Sequence, residues 1–185
     1  MKSYLNQKSA PRGIRNNNPG NLIKTAIQWQ GKIPHEQNND SRFEQFTSII
    51  YGLRAMAKDI TNDIKKGKNT LKLLITEYAP PYVKNKTGQI VKENDTAAYI
   101  AAVSKSVGIP PDAKIKITPE ILQALITAKV QVENGAKWKK YISAEDIQQA
   151  VNLALNKNAE TIKTAAKITP AILLIIGAGY LILTR

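Results

Sequence analysis

Cysteine is absent from the chain, which excludes disulfides, thiolate zinc sites, iron–sulfur clusters and a cysteine nucleophile. Histidine occurs once, at His35, so a multi-histidine metal site is excluded too. No metal or cofactor is expected, and any acid–base chemistry rests mainly on carboxylates. Acidic residues are themselves scarce: 14 Asp and Glu stand against 27 Lys and Arg, a formal net charge of +13. Such a chain seeks polyanions, whether nucleic acid, anionic lipid or an anionic cell-wall polymer. The basic residues are scattered and make no zinc finger, RNP motif or long arginine run, so charge alone leaves all three open; a nucleic-acid role, resting on charge only, is the weakest function. Aromatics are only 6% of the chain, so Trp29 and Tyr78 are core candidates before they are sugar-stacking ones. No apolar run occurs in 1–28, and no signal peptide is expected there.

What is present is a foldable composition, 43% hydrophobic over 185 residues, enough for one domain and a short appendage. Residues 1–11 read as a flexible polar arm and 12–154 as the domain. Asn16, Asn17, Asn18 and Asn21 crowd around Pro19 and Gly20, which predicts a compact turn after Arg12. Residues 27–33 suit a short strand or irregular chain. Apolar spacing predicts a helix over 48–66 and another over 71–78, stopped before Pro80 and Pro81. Residues 82–91 read as a loop. Asn94 or Asp95 caps a third helix ending at Gly108, and Thr118-Pro-Glu120 starts a fourth that runs to Glu133. Ser143-Ala-Glu-Asp146 resembles a capping box for a fifth, continuing through Leu155 to Ala166. The expected class is therefore mainly α.

On a wheel of about 100° per residue, Glu133 falls about 20° from Leu122. It thus points along the apolar stripe at the last turn of the fourth helix. Burial and the negative helix end both favour a protonated carboxyl there, as a glycosidic leaving group requires. The competing reading is a surface ion pair with Lys129 four residues earlier. Amides such as Asn17, Asn18 and Asn21 suit sugar hydroxyls and N-acetyl carbonyls, or simply shape the turn. Glu44 and Glu36 are spare carboxylates, and His35 reads as a surface residue.

Several blocks together resemble lysozyme-like phage virion proteins. They are Arg12-Gly-Ile-Arg-Asn-Asn-Asn-Pro-Gly-Asn-Leu22, Trp29-Gln-Gly31, Phe43-Glu-Gln-Phe46, Tyr51-Gly-Leu-Arg-Ala55, Tyr78-Ala-Pro-Pro81, Glu93-Asn-Asp-Thr-Ala-Ala-Tyr-Ile100 and Val132-Glu-Asn-Gly135. The first block is also similar to the asparagine-rich segment of flagellar-type N-acetylglucosaminidases, although no acidic residue precedes it here. The helix end Ala128 to Gly135 is similar to that of soluble lytic transglycosylases, whose catalytic glutamate closes a helix. Its late position implies a lysozyme-like fold with circularly permuted elements. The resemblance implies a peptidoglycan-cleaving enzyme, with Glu133 catalytic, Glu44 the alternative, and Asn17, Asn18, Asn21, Tyr78 and Tyr99 binding substrate. A lytic transglycosylase needs one acid–base group; a muramidase would use Glu44 or Glu36 as the second. An inactive structural module joining capsid and internal membrane is the rival reading.

The uncharged apolar run 168–184 begins near Thr169 and Pro170 and ends at Arg185. As a helix it would be about 25 Å long and is expected to cross a membrane, with 155–167 as a stalk. The competing reading is a helix packed on the domain. Such a tether suits a tailless, membrane-containing icosahedral phage, with lipid and capsid or spike proteins as partners. A late lysis enzyme is the alternative role.

Overall fold

The computed structural model describes residues 1–85 and 87–156. Its elements follow in the order α1 (Arg12–Arg15), α2 (Ile49–Lys65), α3 (Leu71–Tyr78), β1 (Tyr82–Lys84), β2 (Ile90–Lys92), α4 (Thr96–Val107), α5 (Pro119–Asn134), a 3-10 turn (Ala136–Lys140) and α6 (Ala144–Ala154). Each of the five longer helices starts where a side chain can accept from an otherwise unbonded N–H. Ser48 accepts from Tyr51 N, Thr70 from Leu73 N, Asp95 from Ala98 N, and Thr118 from Ile121 N. Ser143 and Asp146 form the reciprocal box that opens α6.

The apolar faces of these helices close on one core. α2 lies along α6, and α5 packs against α4 and α6. Leu53, Met56, Leu122, Leu125, Ile126 and Val151 are wholly or almost wholly buried between them. A smaller cluster of Leu22, Phe46 and Ala55, flanked by Trp29 and Tyr51, sits under the irregular segment before α2. There Ile23 and Phe43 form one isolated antiparallel bridge and Lys32 and Phe46 another, so 27–33 is irregular chain. Gly52 lets α2 approach this segment. A Cβ on it would lie 1.8 Å from the Asn17 carbonyl oxygen, so any side chain would drive the helix away.

Several expectations need correction. Residues 1–11 are docked on the domain. Ile49 N donates to Lys2 O, the Lys2 ammonium pairs with Asp146 at 2.7 Å, and the Tyr4 hydroxyl donates to Tyr141 O. Residues 82–92 are an antiparallel hairpin, with Tyr82 opposite Lys92, Val83 opposite Val91 and Lys84 opposite Ile90. The mainly α class holds for the described residues, but no membrane helix is found among them. Among the described residues no helix is long and apolar enough to cross a membrane. The longest of them, α2, carries Lys58, Asp59, Asp63 and Lys65 within its 17 residues, too many charges for a spanning helix. The run 168–184 and all of the stalk beyond Asn156 lie outside the described residues, as do Ile162 and Ala166.

Candidate functional site

α5 places Glu133 one residue before its end, on the same side as Leu122, Leu125, Ile126 and Lys129. The carboxyl is half-buried and both oxygens are held. The Asn21 amide donates to Oε2 at 2.8 Å and the Tyr99 hydroxyl donates to Oε1 at 2.9 Å. Asn21 arrives from the tight turn after α1, where its φ of 50° is a left-handed value that asparagine tolerates. Tyr99 arrives from α4, whose start is tied to the end of α3 by Thr96 Oγ1 donating to Ala79 O at 2.6 Å. Three segments far apart in sequence thus meet on one carboxyl.

The next residue locks the helix end to the turn. Asn134 Nδ2 donates to Pro19 O at 2.7 Å and to Val130 O at 3.0 Å. Gly13 makes the approach possible, because a Cβ there would lie 2.6 Å from Asn134 Oδ1 and 3.0 Å from Asn21 Oδ1. Those two amide oxygens and the Tyr78 hydroxyl are buried without a hydrogen-bond partner in the structure. Unpaired buried acceptors are costly, so the chain tolerates a polar strain at this end of α5.

Tyr78, at the end of α3, packs edge-on to Tyr99 with ring centroids 6.3 Å apart. Lys129 sits beneath it, 5% exposed, its ammonium 3.2 Å from the Tyr78 ring centroid. No ion pair joins Lys129 to Glu133 among the described residues. The surface pair expected as the competing reading is therefore replaced by a buried cation. Burial pushes the Lys129 pKa down to about 8, against the attraction of Asp59, Glu133 and Asp63. Burial and the nearby Glu133 push both tyrosine hydroxyls up, so Tyr99 remains a donor to the carboxyl.

The remaining expected residues are placed differently. Asn17 and Asn18 are fully buried and spend their amides within the chain. Asn17 accepts from Tyr4 N and donates to Ser3 Oγ and Phe46 O. Asn18 donates to Leu22 O and Glu44 O and accepts from Leu22 N. They shape the turn that presents Asn21 and do not line a cleft with Glu133. Glu44 is also fully buried, in a separate cluster: it accepts from Thr25 N at 2.9 Å, and pairs with the Lys32 ammonium at 3.2 Å and the His35 imidazole at 3.0 Å. A depression of about 340 Å³ opens beside it, lined by Thr25, Lys32, His35 and Glu36 among others. His35 is thus engaged with Glu44 while remaining partly exposed.

Two contributors escaped the sequence reading. Asn134 clamps the site, and its only sequence signal is its place in Glu-Asn-Gly. Asp40 braces the turn by accepting from Arg12 at 2.7 Å and from Asn16 at 2.7 Å. Burial alone would raise the Asp40 pKa; hydrogen bonds from Arg12, Phe43 N, Arg42 N and Asn16 outweigh it and hold the carboxyl well below its usual range.

No family model matches the chain. The chain is 35% identical over 136 residues to Protein P5 of Pseudoalteromonas phage PM2, an alignment that covers 71% of this chain and 76% of that protein. The chain belongs to the Protein P5 family. It is thus related to a phage protein, in keeping with the phage resemblance of its motifs. In this P5-family chain the Glu133 constellation and the Glu44 cluster lie in the same domain but have different surroundings. Only the first joins a half-exposed carboxyl to unpaired polar groups.

Proposed function

We propose that the chain is a virion-associated phage protein that cleaves peptidoglycan glycan strands, with Glu133 as the acid–base group. The observation that carries this reading is the half-buried Glu133 carboxyl at the end of α5, held by Tyr99 and Asn21 with unpaired amide and phenol oxygens around it. Asn21 Nδ2 can only donate, whereas the Tyr99 hydroxyl can turn and accept, so Oε1 is the oxygen suited to carrying a transferable proton. Glu133 would protonate the glycosidic oxygen and then take a proton from the attacking group.

The single-carboxylate arrangement favours a lytic transglycosylase, in which the muramyl 6-hydroxyl attacks and leaves a 1,6-anhydro end. Glu44 is enclosed by Thr25, Lys32 and His35, which makes it a poor second carboxylate for a muramidase. A zymogram on purified peptidoglycan, with mass analysis of the products, tests the reading. Lysis with 1,6-anhydro ends that disappears in Glu133→Gln supports it, and absence of cleavage by the wild-type chain ends it.

A second reading is an inactive structural module of the virion, in contact with capsid or spike proteins. It draws on the same contacts, since both Glu133 oxygens already have protein partners.

A further inference from the structure

We propose that the hairpin Tyr82–Lys92 is a docking surface for the anionic, peptide-bearing glycan strand of peptidoglycan. The proposal rests on the peptidoglycan reading above and adds the place where the polymer is held outside the Glu133 site. In the β1–β2 register, Tyr82, Lys84, Ile90 and Lys92 share one face of the hairpin, because opposite residues in an antiparallel pair point the same way. That face is open: Tyr82 is 62% and Ile90 71% exposed, and both lysines are exposed. A two-stranded hairpin is marginal in water unless something covers it.

Its root ties it to the candidate site. The hairpin leaves the chain four residues after Tyr78 and returns seven residues before Tyr99. Its foot is clamped by Asn94 Nδ2 donating to Pro80 O at 2.9 Å and Glu93 N to Pro81 O at 2.9 Å, while the Glu93 carboxylate pairs with Arg42. Its tip is braced by Asn85, whose Oδ1 accepts from Thr87 N at 3.0 Å and Gln89 N at 2.9 Å. The surface is therefore presented stiffly from the wall that carries Tyr78 and Tyr99.

The chemistry of the face selects the occupant. Residues 80–92 contain Lys84, Lys86 and Lys92 and no acidic residue. Peptidoglycan stem peptides bear free carboxylates, which match alternating lysines. The sugars offer C–H faces on which a tyrosine ring stacks and N-acetyl methyls that suit an isoleucine.

The test uses the full chain carrying Glu133→Gln, so that binding is read without cleavage, in a sedimentation assay with purified sacculi. Tyr82→Ala/Ile90→Ser and Lys84→Ala/Lys92→Ala are each added to that background, with circular dichroism confirming the fold. Each pair should weaken binding about 10-fold or more. Binding unchanged in both pairs, or no binding of the Glu133→Gln chain, overturns the proposal. So does loss of binding to vesicles of anionic lipid with binding to sacculi intact, which would make the face a lipid surface. Wild-type chain that binds through the hairpin yet yields no cleavage products sinks the Glu133 chemistry and leaves the docking surface standing.

Discussion

Glu133 and Glu44 are the same residue type in two opposite settings. Glu44 is fully buried in an irregular segment and meets a lysine, an imidazole and a backbone N–H. Glu133 is half exposed at a helix end and meets only neutral donors, an amide and a phenol. Charged partners compensate a buried carboxylate and bind loop segments together, but they leave it little freedom to exchange a proton with a ligand. Neutral partners orient a carboxyl without neutralising it. One carboxylate is enclosed by cations and holds loop segments together; the other is oriented by neutral donors and left half open.

Substituting the two residues should separate the roles. Glu133→Gln removes the transferable proton, so lytic activity should fall about 10²–10⁴-fold in a turbidity assay. Its unfolding midpoint should barely move. Glu44→Gln should do the reverse. It leaves the Lys32 ammonium buried without its counter-charge, and loss of one partner of a buried pair destabilises by about 3–5 kcal/mol. Activity per folded molecule should change little. A stable but inactive Glu44→Gln would mean that the two roles have been exchanged.

Lys129 sharpens the contrast from the cation's side. Its folded pKa of about 8 lies below the ordinary 10.5, so the unfolded chain binds more protons between those values. Stability should therefore rise as pH increases from 8 to 10.5, relative to Lys129→Met. At pH 7, where the burial penalty is fully present, Lys129→Met should be more stable by about 1–3 kcal/mol in urea denaturation. A wild-type chain whose stability matches the variant at every pH would show that this ammonium is not held buried.

Asp40 gives a smaller acid-side effect. Its folded pKa is depressed below the ordinary 3.8, so its contribution is present above that value and is lost as pH falls below it. Asp40→Asn should cost about 1–2 kcal/mol at pH 7, with the gap to wild type closing below pH 4. Tyr99→Phe should have the mildest consequence. Loss of one hydrogen bond to the Glu133 carboxyl should reduce activity about 10-fold and stability by about 1 kcal/mol. Equal activity in Tyr99→Phe would show that the hydroxyl does not orient the carboxyl.

The legible parts were those governed by near neighbours. The helix over 71–78 has its expected limits because apolar spacing marks it and Pro80 and Pro81 stop it; its Thr70 cap is seen only in the structure. The direction of Glu133 followed from helical spacing to Leu122 and Leu125. The hairpin was not legible: three-residue strands whose side chains are mostly exposed show no buried alternation. The amides of Asn17, Asn18 and Asn21 look equivalent in sequence. Two are absorbed by Phe46, Leu22 and Glu44 backbone groups, and one reaches a residue 112 positions away.

By itself the sequence determined the mainly α class of the described domain, the starts of its capped helices and the side of α5 on which Glu133 stands. Caps and apolar spacing act over three or four residues, so they are written in consecutive letters. Tertiary structure alone decided which carboxyl is enclosed by cations and which is left half open. It also placed Lys129 under Tyr78 and brought Asn21 and Tyr99 to one carboxyl. Those outcomes depend on which distant polar groups compete for each side chain once the core closes, and burial makes every such pairing obligatory.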